Sequence, residues 1–200
     1  MTSNPRINSI LDEANRLFLL GKFQEAISYY DKILQEDPNH LGCLNNKGYA
    51  LSKLKDYDSA LRCYNIALEL NPNDLPVLVN RISSLRKKGN LTEALSNCDI
   101  ILESNPNYNI ALYHKERILL SMKKFEESIV CCNQILKNYP NNGDVLFDKS
   151  CNLVLLSKFN EALDNLENSI SQGIQFKIKA KKSKIFEKLY DNQRFQNLIS

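Results

Sequence analysis

Two hundred residues with 43% apolar content can bury a substantial core, and a formal net charge of +3 is too small to mark a nucleic-acid binder, which needs a concentrated basic face. Apolar runs such as Leu153–Leu156 are far below the roughly twenty residues that span a bilayer, and the opening MTSNPR has no apolar signal core. The expectation is a cytoplasmic chain without nucleic-acid or membrane partners. The six cysteines, Cys43, Cys63, Cys98, Cys131, Cys132 and Cys151, contain no C-x-x-C pair. They read as small packing residues in a reducing compartment, with no metal or other cofactor implied.

In chain order, residues 1–6 read as a tail. Ile10, Leu11, Ala14, Leu17 and Phe18 then recur at helical spacing, and Gly21 ends that helix because glycine tolerates the left-handed turn. A second helix is predicted from about Gln24 to Glu36, with Ala26, Ile27, Tyr30, Ile33 and Leu34 as its inner stripe. Pro38 stops it, because the residue before a proline disfavours the helical region.

Leu41–Asp74 repeats the arrangement, with Leu44, Gly48, Leu51 and Leu54 on its first helix and Ala60, Leu61, Tyr64, Ala67 and Leu68 on its second. Gly48 is expected to face Ala60, since helices crossing at close range need small side chains there. Further on, the place of Ala14 and Gly48 is taken by Ile82 and then Glu116. The isoleucine predicts a splayed or repacked pair. The glutamate predicts a cationic or hydrogen-bonding partner, with Arg81, Lys115 and Arg117 nearby.

The next pair returns to Ser150 and Ala162 and ends at Gly173. A helix is predicted from about Ile178 to Tyr190, and the lysine-rich stretch Lys177–Lys188 reads either as a polar-faced terminal cap or as the start of a truncated further repeat.

The spacing is regular. Pro38, Pro72, Pro106 and Pro140 lie 34 residues apart, as do Ala26, Ala60, Ala94, Ser128 and Ala162. Each of those small residues follows a ring at Phe23, Tyr57, Phe125 or Phe159, with Leu91 in the third place. Together these features resemble the tetratricopeptide repeat family, in five ungapped repeats over 7–40, 41–74, 75–108, 109–142 and 143–176, with a partial sixth over 177–200. The resemblance implies an all-α, right-handed superhelical solenoid of antiparallel helix-turn-helix repeats. Its first helices would line a concave groove that binds a segment of a protein partner.

Carried over by repeat position, the groove-facing candidates are Asn46, Tyr49, Lys53, Asn80, Arg86, Lys87, Tyr113, His114 and Arg117. Asn46 and Asn80 hold equivalent places, and a carboxamide offers both donor and acceptor, so the two either grip successive peptide units or simply face solvent. Lys53, Arg86, Lys87 and Arg117 beside Tyr49 and Tyr113 favour an acidic ligand with an apolar anchor, or form an ordinary solvated face. Asp12, Asp144 and Asp148 stand at the ends. The column Lys47, Arg81, Lys115 and Lys149 reads as cationic stems laid over neighbouring helices.

The frame used by family members that clamp a chaperone's C-terminal carboxylate keeps only its asparagines here, so the resemblance does not imply that ligand. No phosphate loop, G-x-S-x-G or H-E-x-x-H occurs, and the two histidines, His40 and His114, have no catalytic partner placed by spacing. The sequence therefore reads as a non-enzymatic interaction scaffold. The alternative is the regulatory repeat region of a larger enzyme whose catalytic domain lies outside this chain.

Overall fold

The computed structural model describes residues 5–200, and its regular elements are all helical. Five successive helix pairs run α1 (Pro5–Leu19) and α2 (Phe23–Glu36), α3 (Leu41–Lys53) and α4 (Tyr57–Leu70), α5 (Leu75–Lys88) and α6 (Leu91–Ser104), α7 (Asn109–Ser121) and α8 (Phe125–Asn138), and α9 (Gly143–Leu155) and α10 (Phe159–Ser171). After them come α11 (Ile174–Lys182), a 3-10 turn (Lys184–Leu189) and α12 (Gln193–Ile199). Of the expected tail, residues 1–4 lie outside the described residues, and α1 starts at Pro5, whose fixed φ suits a first helical turn. The chain forms two compact units, one through Asn97 and one from Cys98, divided within α6. In each unit a helix packs on its partner and the pair stacks on the next.

Two devices recur along the repeats, the first in three of them and the second in all five. Two residues after Pro38, Pro72 and Pro140, a side chain caps the next first helix: His40 Nδ1 accepts from the Cys43 amide (3.2 Å), Asp74 Oδ1 from Val77 (3.1 Å) and Asn142 Oδ1 from Val145 (3.2 Å). At the other end of each first helix, one residue adopts a left-handed backbone: Gly21, Lys55, Gly89, Lys123 and Ser157, with φ between 60° and 95° and 34 residues apart. The amide of the next residue closes a six-residue ring, Asp56 to Leu51 and Lys158 to Leu153 at 2.9 Å each, which satisfies a carbonyl the helix end would otherwise orphan. At three of the five places the residue is not glycine, so composition hides a turn that geometry repeats.

Close approach within a pair depends on a matched volume. A Cβ built on Gly48 would lie 2.6 Å from Cε1 of the fully buried Tyr64 ring, so the tightest constraint on Gly48 is Tyr64 rather than Ala60. The equivalent residues are Ala14 and Tyr30 in the first repeat, Ile82 and Cys98 in the third, and Glu116 and Cys132 in the fourth. A large residue on the first helix thus goes with a small one on the second. Ile82 is fully buried, the repacked outcome of the two expected for it.

At the C-terminus, the single helix expected over 178–190 is instead broken at Ser183, whose backbone is extended (φ −88°, ψ 121°). The four lysines between 179 and 184 repel one another along a continuous helix. Beyond the break, the three-residue turn stacks Phe186 directly above Leu189, so both are buried. Phe186 then stacks on Phe195 (5.7 Å, 11°) and packs against Phe147 (5.7 Å).

Gly48→Ala is expected to cost about 1–3 kcal/mol in the native chain by overpacking against Tyr64, and to cost much less when Tyr64→Cys has already opened that space. A double-mutant cycle of denaturant midpoints reads the coupling; additive effects would show that the pair is not under volume constraint.

Candidate functional site

In the first unit, α3 lies against both α1 and α5, and half-buried carboxamides link the three helices. The Tyr30 hydroxyl and Asn46 Nδ2 both donate to Asn15 Oδ1, at 2.9 and 3.4 Å, while Asn80 Nδ2 donates to Asn45 Oδ1 at 2.9 Å. Asn46 and Asn80 are equivalent in the repeat frame, yet they bond 31 and 35 residues back. The reason lies in their neighbours: the residue matching Asn15 is Tyr49, so Asn80 turns one helical turn further to Asn45. The parts played by Asn15 and Asn45 were not legible from spacing, because neither recurs at the next repeat.

Beside this ladder, Tyr49 packs on Phe18 (5.2 Å) and Phe23 (6.4 Å), and the exposed Lys53 ammonium lies 5.1 Å from the Tyr49 ring. Leu19 and Leu20 stand 84% and 61% exposed at the adjoining turn. On α5, Arg86 is half-buried and Lys87 is exposed.

In the second unit the candidates on α7 engage α9. Arg117 stacks on Tyr113 (4.4 Å) and reaches Asp148 (3.2 Å), while Asp144 pairs with Lys179 (3.0 Å), which lies over Phe176 (4.9 Å). Arg117 therefore spends much of its charge internally, and so do the two aspartates expected to stand at the end of the face. Burial pushes the Asp148 carboxyl up against the opposing pull of Arg117. His114 is half-buried on the same helix. A cavity of about 300 Å³ opens beside Tyr113, lined by Asn109, Ile110, Ile135, Tyr139 and Asn142, and it suits an aliphatic side chain with a polar rim.

Three members of the cationic column are straps between helices. Lys47 pairs with Asp31 (2.5 Å), Arg81 with Glu93 (2.5 Å) and the Asn97 side chain (2.7 Å), and Lys115 with Asp99 (2.6 Å). Lys149 would find Asn133 at the place held by Asp31 and Asp99, so its counterpart is neutral. All six cysteines are free and buried, and burial raises the thiols of Cys43 and Cys98 to about 12 and that of Cys131 to about 11. They stay protonated at neutral pH, as packing residues do. Among the described residues, no group of three or more His, Cys, Asp or Glu could hold a metal, and no helix is long and apolar enough to cross a membrane.

Glu116 is fully buried, and of the cationic or hydrogen-bonding partner expected for it the structure supplies the second, a hydroxyl. Ser128 Oγ donates to Glu116 Oε1 (3.2 Å) or to the Glu116 carbonyl (3.1 Å), and Asn152 Nδ2 donates to Ser128 Oγ (3.0 Å). Burial drives the carboxyl up to about 8, with the charge of Asp148 adding to the rise. Glu116 Oε2 and Asn152 Oδ1 are both buried without a hydrogen-bond partner, and a retained proton supplies one donor between two acceptors.

Models of the tetratricopeptide repeat match residues 10–40 and 43–74. Among solved structures, YrrB, described as a TPR protein with an unusual peptide-binding site, superposes with a TM-score of 0.70 at 19% identity, over 87% of this chain and 91% of that one. MamA 41-end from Desulfovibrio magneticus RS-1 gives 0.79 at 17% identity, over 90% and 99%, and a second MamA structure gives 0.74 at 17%, over 88% and 95%. At these identities the likeness is one of fold. No curated protein matches the chain.

The raised carboxyl fixes a direction for stability. An unfolded glutamate loses its proton near 4.5 while the folded Glu116 holds it to about 8, so stability falls as pH rises between those values, on the order of 1.4 kcal/mol per unit, and levels off above them. Glu116→Gln should flatten this slope and stabilise the chain at alkaline pH, measured by chemical denaturation across the range. A slope unchanged by the substitution would show that Glu116 is not the titrating group.

Proposed function

We propose that the chain, whose residues 10–40 and 43–74 match the tetratricopeptide repeat, is a non-enzymatic interaction scaffold that captures an extended segment of a partner protein on the first-helix face of its N-terminal unit. The observation that carries this reading is the carboxamide ladder of Asn15, Asn45, Asn46 and Asn80 across three adjacent first helices. Asn46 and Asn80 each donate one hydrogen bond within the ladder and keep a second N–H and a carbonyl oxygen, enough to meet the alternating N–H and C=O groups of a passing main chain. Holding each amide by its neighbour fixes its orientation before the ligand arrives, which lowers the entropy cost of capture.

Tyr49 and the Lys53 above it offer the segment an apolar wall with a cation on top, and Arg86 and Lys87 further along α5 favour acidic residues in it. The peptide-binding site named for YrrB, a protein of like fold, supports the same class of ligand. In the second unit, the cavity beside Tyr113 is suited to an aliphatic anchor.

Peptides selected from a displayed library against the intact chain provide the probe. Asn46→Ala with Asn80→Ala should weaken their binding about tenfold or more, at roughly 1 kcal/mol per hydrogen bond lost, while the melting temperature stays within a few degrees. Affinity unchanged for all selected peptides would remove these residues from the binding surface.

A further inference from the structure

The chain's net charge of +3 conceals a sharp local excess. Residues 174–190 carry six lysines against the single Glu187, an excess of five positive charges in seventeen residues. Lys179 is committed to Asp144 and to the ring of Phe176. Lys177, Lys181, Lys182, Lys184 and Lys188 form no ion pair among the described residues.

The orientation of α11 gives this charge a setting. Phe176 and Ala180 are buried and fix one side of the helix on the C-terminal core. At about 100° per residue, the opposite side is centred on Ile178, with Ile174 next to it and Lys181 and Lys182 to either hand. Ile174 is 65% exposed and Ile178 48%, although a helix already buried on its other side has no packing use for them. Tyr190 is 42% exposed, and its hydroxyl donates to the Lys181 carbonyl (3.2 Å), which holds its ring beside the same helix end. The outward face is thus aliphatic at its centre, basic at its margins and edged by a tyrosine.

We propose that this C-terminal face, formed by α11 and the 3-10 turn, is a peripheral docking surface for an anionic lipid bilayer. A bilayer boundary accommodates all three components together. The isoleucines enter the edge of the acyl region, the lysine stems carry their ammonium groups back up to the phosphates, and tyrosine sits at headgroup level. A phosphate polymer would use the lysines but leave the isoleucines in water, and its readers favour the planar fork of arginine, which is absent from residues 174–190. Because α11 is already folded on its core, docking needs no coupled helix formation. A peripheral surface needs no spanning helix, so this reading is independent of the absence of one.

The test is co-sedimentation of the full chain with vesicles of phosphatidylcholine alone and of phosphatidylcholine with phosphatidylserine, alongside binding to duplex DNA and to polyglutamate. The expected result is retention on the anionic vesicles only, declining as salt rises. Lys181→Gln with Lys182→Gln should weaken it roughly thirty-fold, at about fivefold per lysine. Ile174→Ser with Ile178→Ser should weaken it by about tenfold or more at unchanged charge. The four substituted residues are exposed, so an unaltered circular dichroism melt is expected for both variants; if the lysine pair unfolds the chain, Lys184→Gln with Lys188→Gln takes its place, and if the isoleucine pair does, Ile174→Ser alone takes its place. No binding to the anionic vesicles, equal binding to neutral ones, stronger binding to either polymer, or indifference to the isoleucine pair would each overturn the proposal.

Discussion

How near two helices can lie is set by the side chains wedged between their axes, and every other feature of these units inherits that spacing. Gly48 and Tyr64 show the limit, since a single added carbon would collide with a buried ring. The same contact is filled in other repeats with the volumes exchanged, glutamate against cysteine in the fourth. Packing at interior density permits such exchanges only in compensated pairs. A backbone repeat can therefore stay regular while its sequence does not.

At Glu116 the compensating volume is polar. Its carboxyl occupies a crossing that elsewhere holds alanine, glycine, isoleucine or serine, and the hydroxyl of Ser128 replaces the alanine of other repeats. The pair satisfies sterics but leaves a titratable group without water. Burying it is tolerable because it keeps its proton, so a packing solution acquires a pH dependence that an apolar one would lack. Arg117, next in sequence, points elsewhere and is held by Tyr113 and Asp148.

Charge is used in three distinct ways along the chain. The strap residues Lys47, Arg81 and Lys115 span neighbouring helices and are spent on the stack. Arg117 and Lys179 neutralise aspartates on the first-helix side of the second unit. Lys177, Lys181, Lys182, Lys184 and Lys188 near the C-terminus have no such partner among the described residues, and they stand around exposed aliphatic residues instead of covering them. Net charge averages over all three, which is why a modest total says little about where a charged ligand would go.

The amino-acid sequence by itself determined the all-α architecture, the helix pairs and their 34-residue period. These depend on apolar spacing and on proline and glycine, whose effects are local and act through the backbone. The left-handed residue at Lys55, Lys123 and Ser157 was hidden because its position is dictated by closure of the pair and not by residue type. Among the candidate binding residues, the sequence could place Asn46 and Asn80 at matching positions, but only the tertiary structure decided that they pair differently, because the residue each one meets comes from another helix. The hydroxyl partner of Glu116, the internal use of Arg117 and the break at Ser183 have the same origin. Each is settled by what a distant segment brings into contact, and periodicity within a chain carries no record of that.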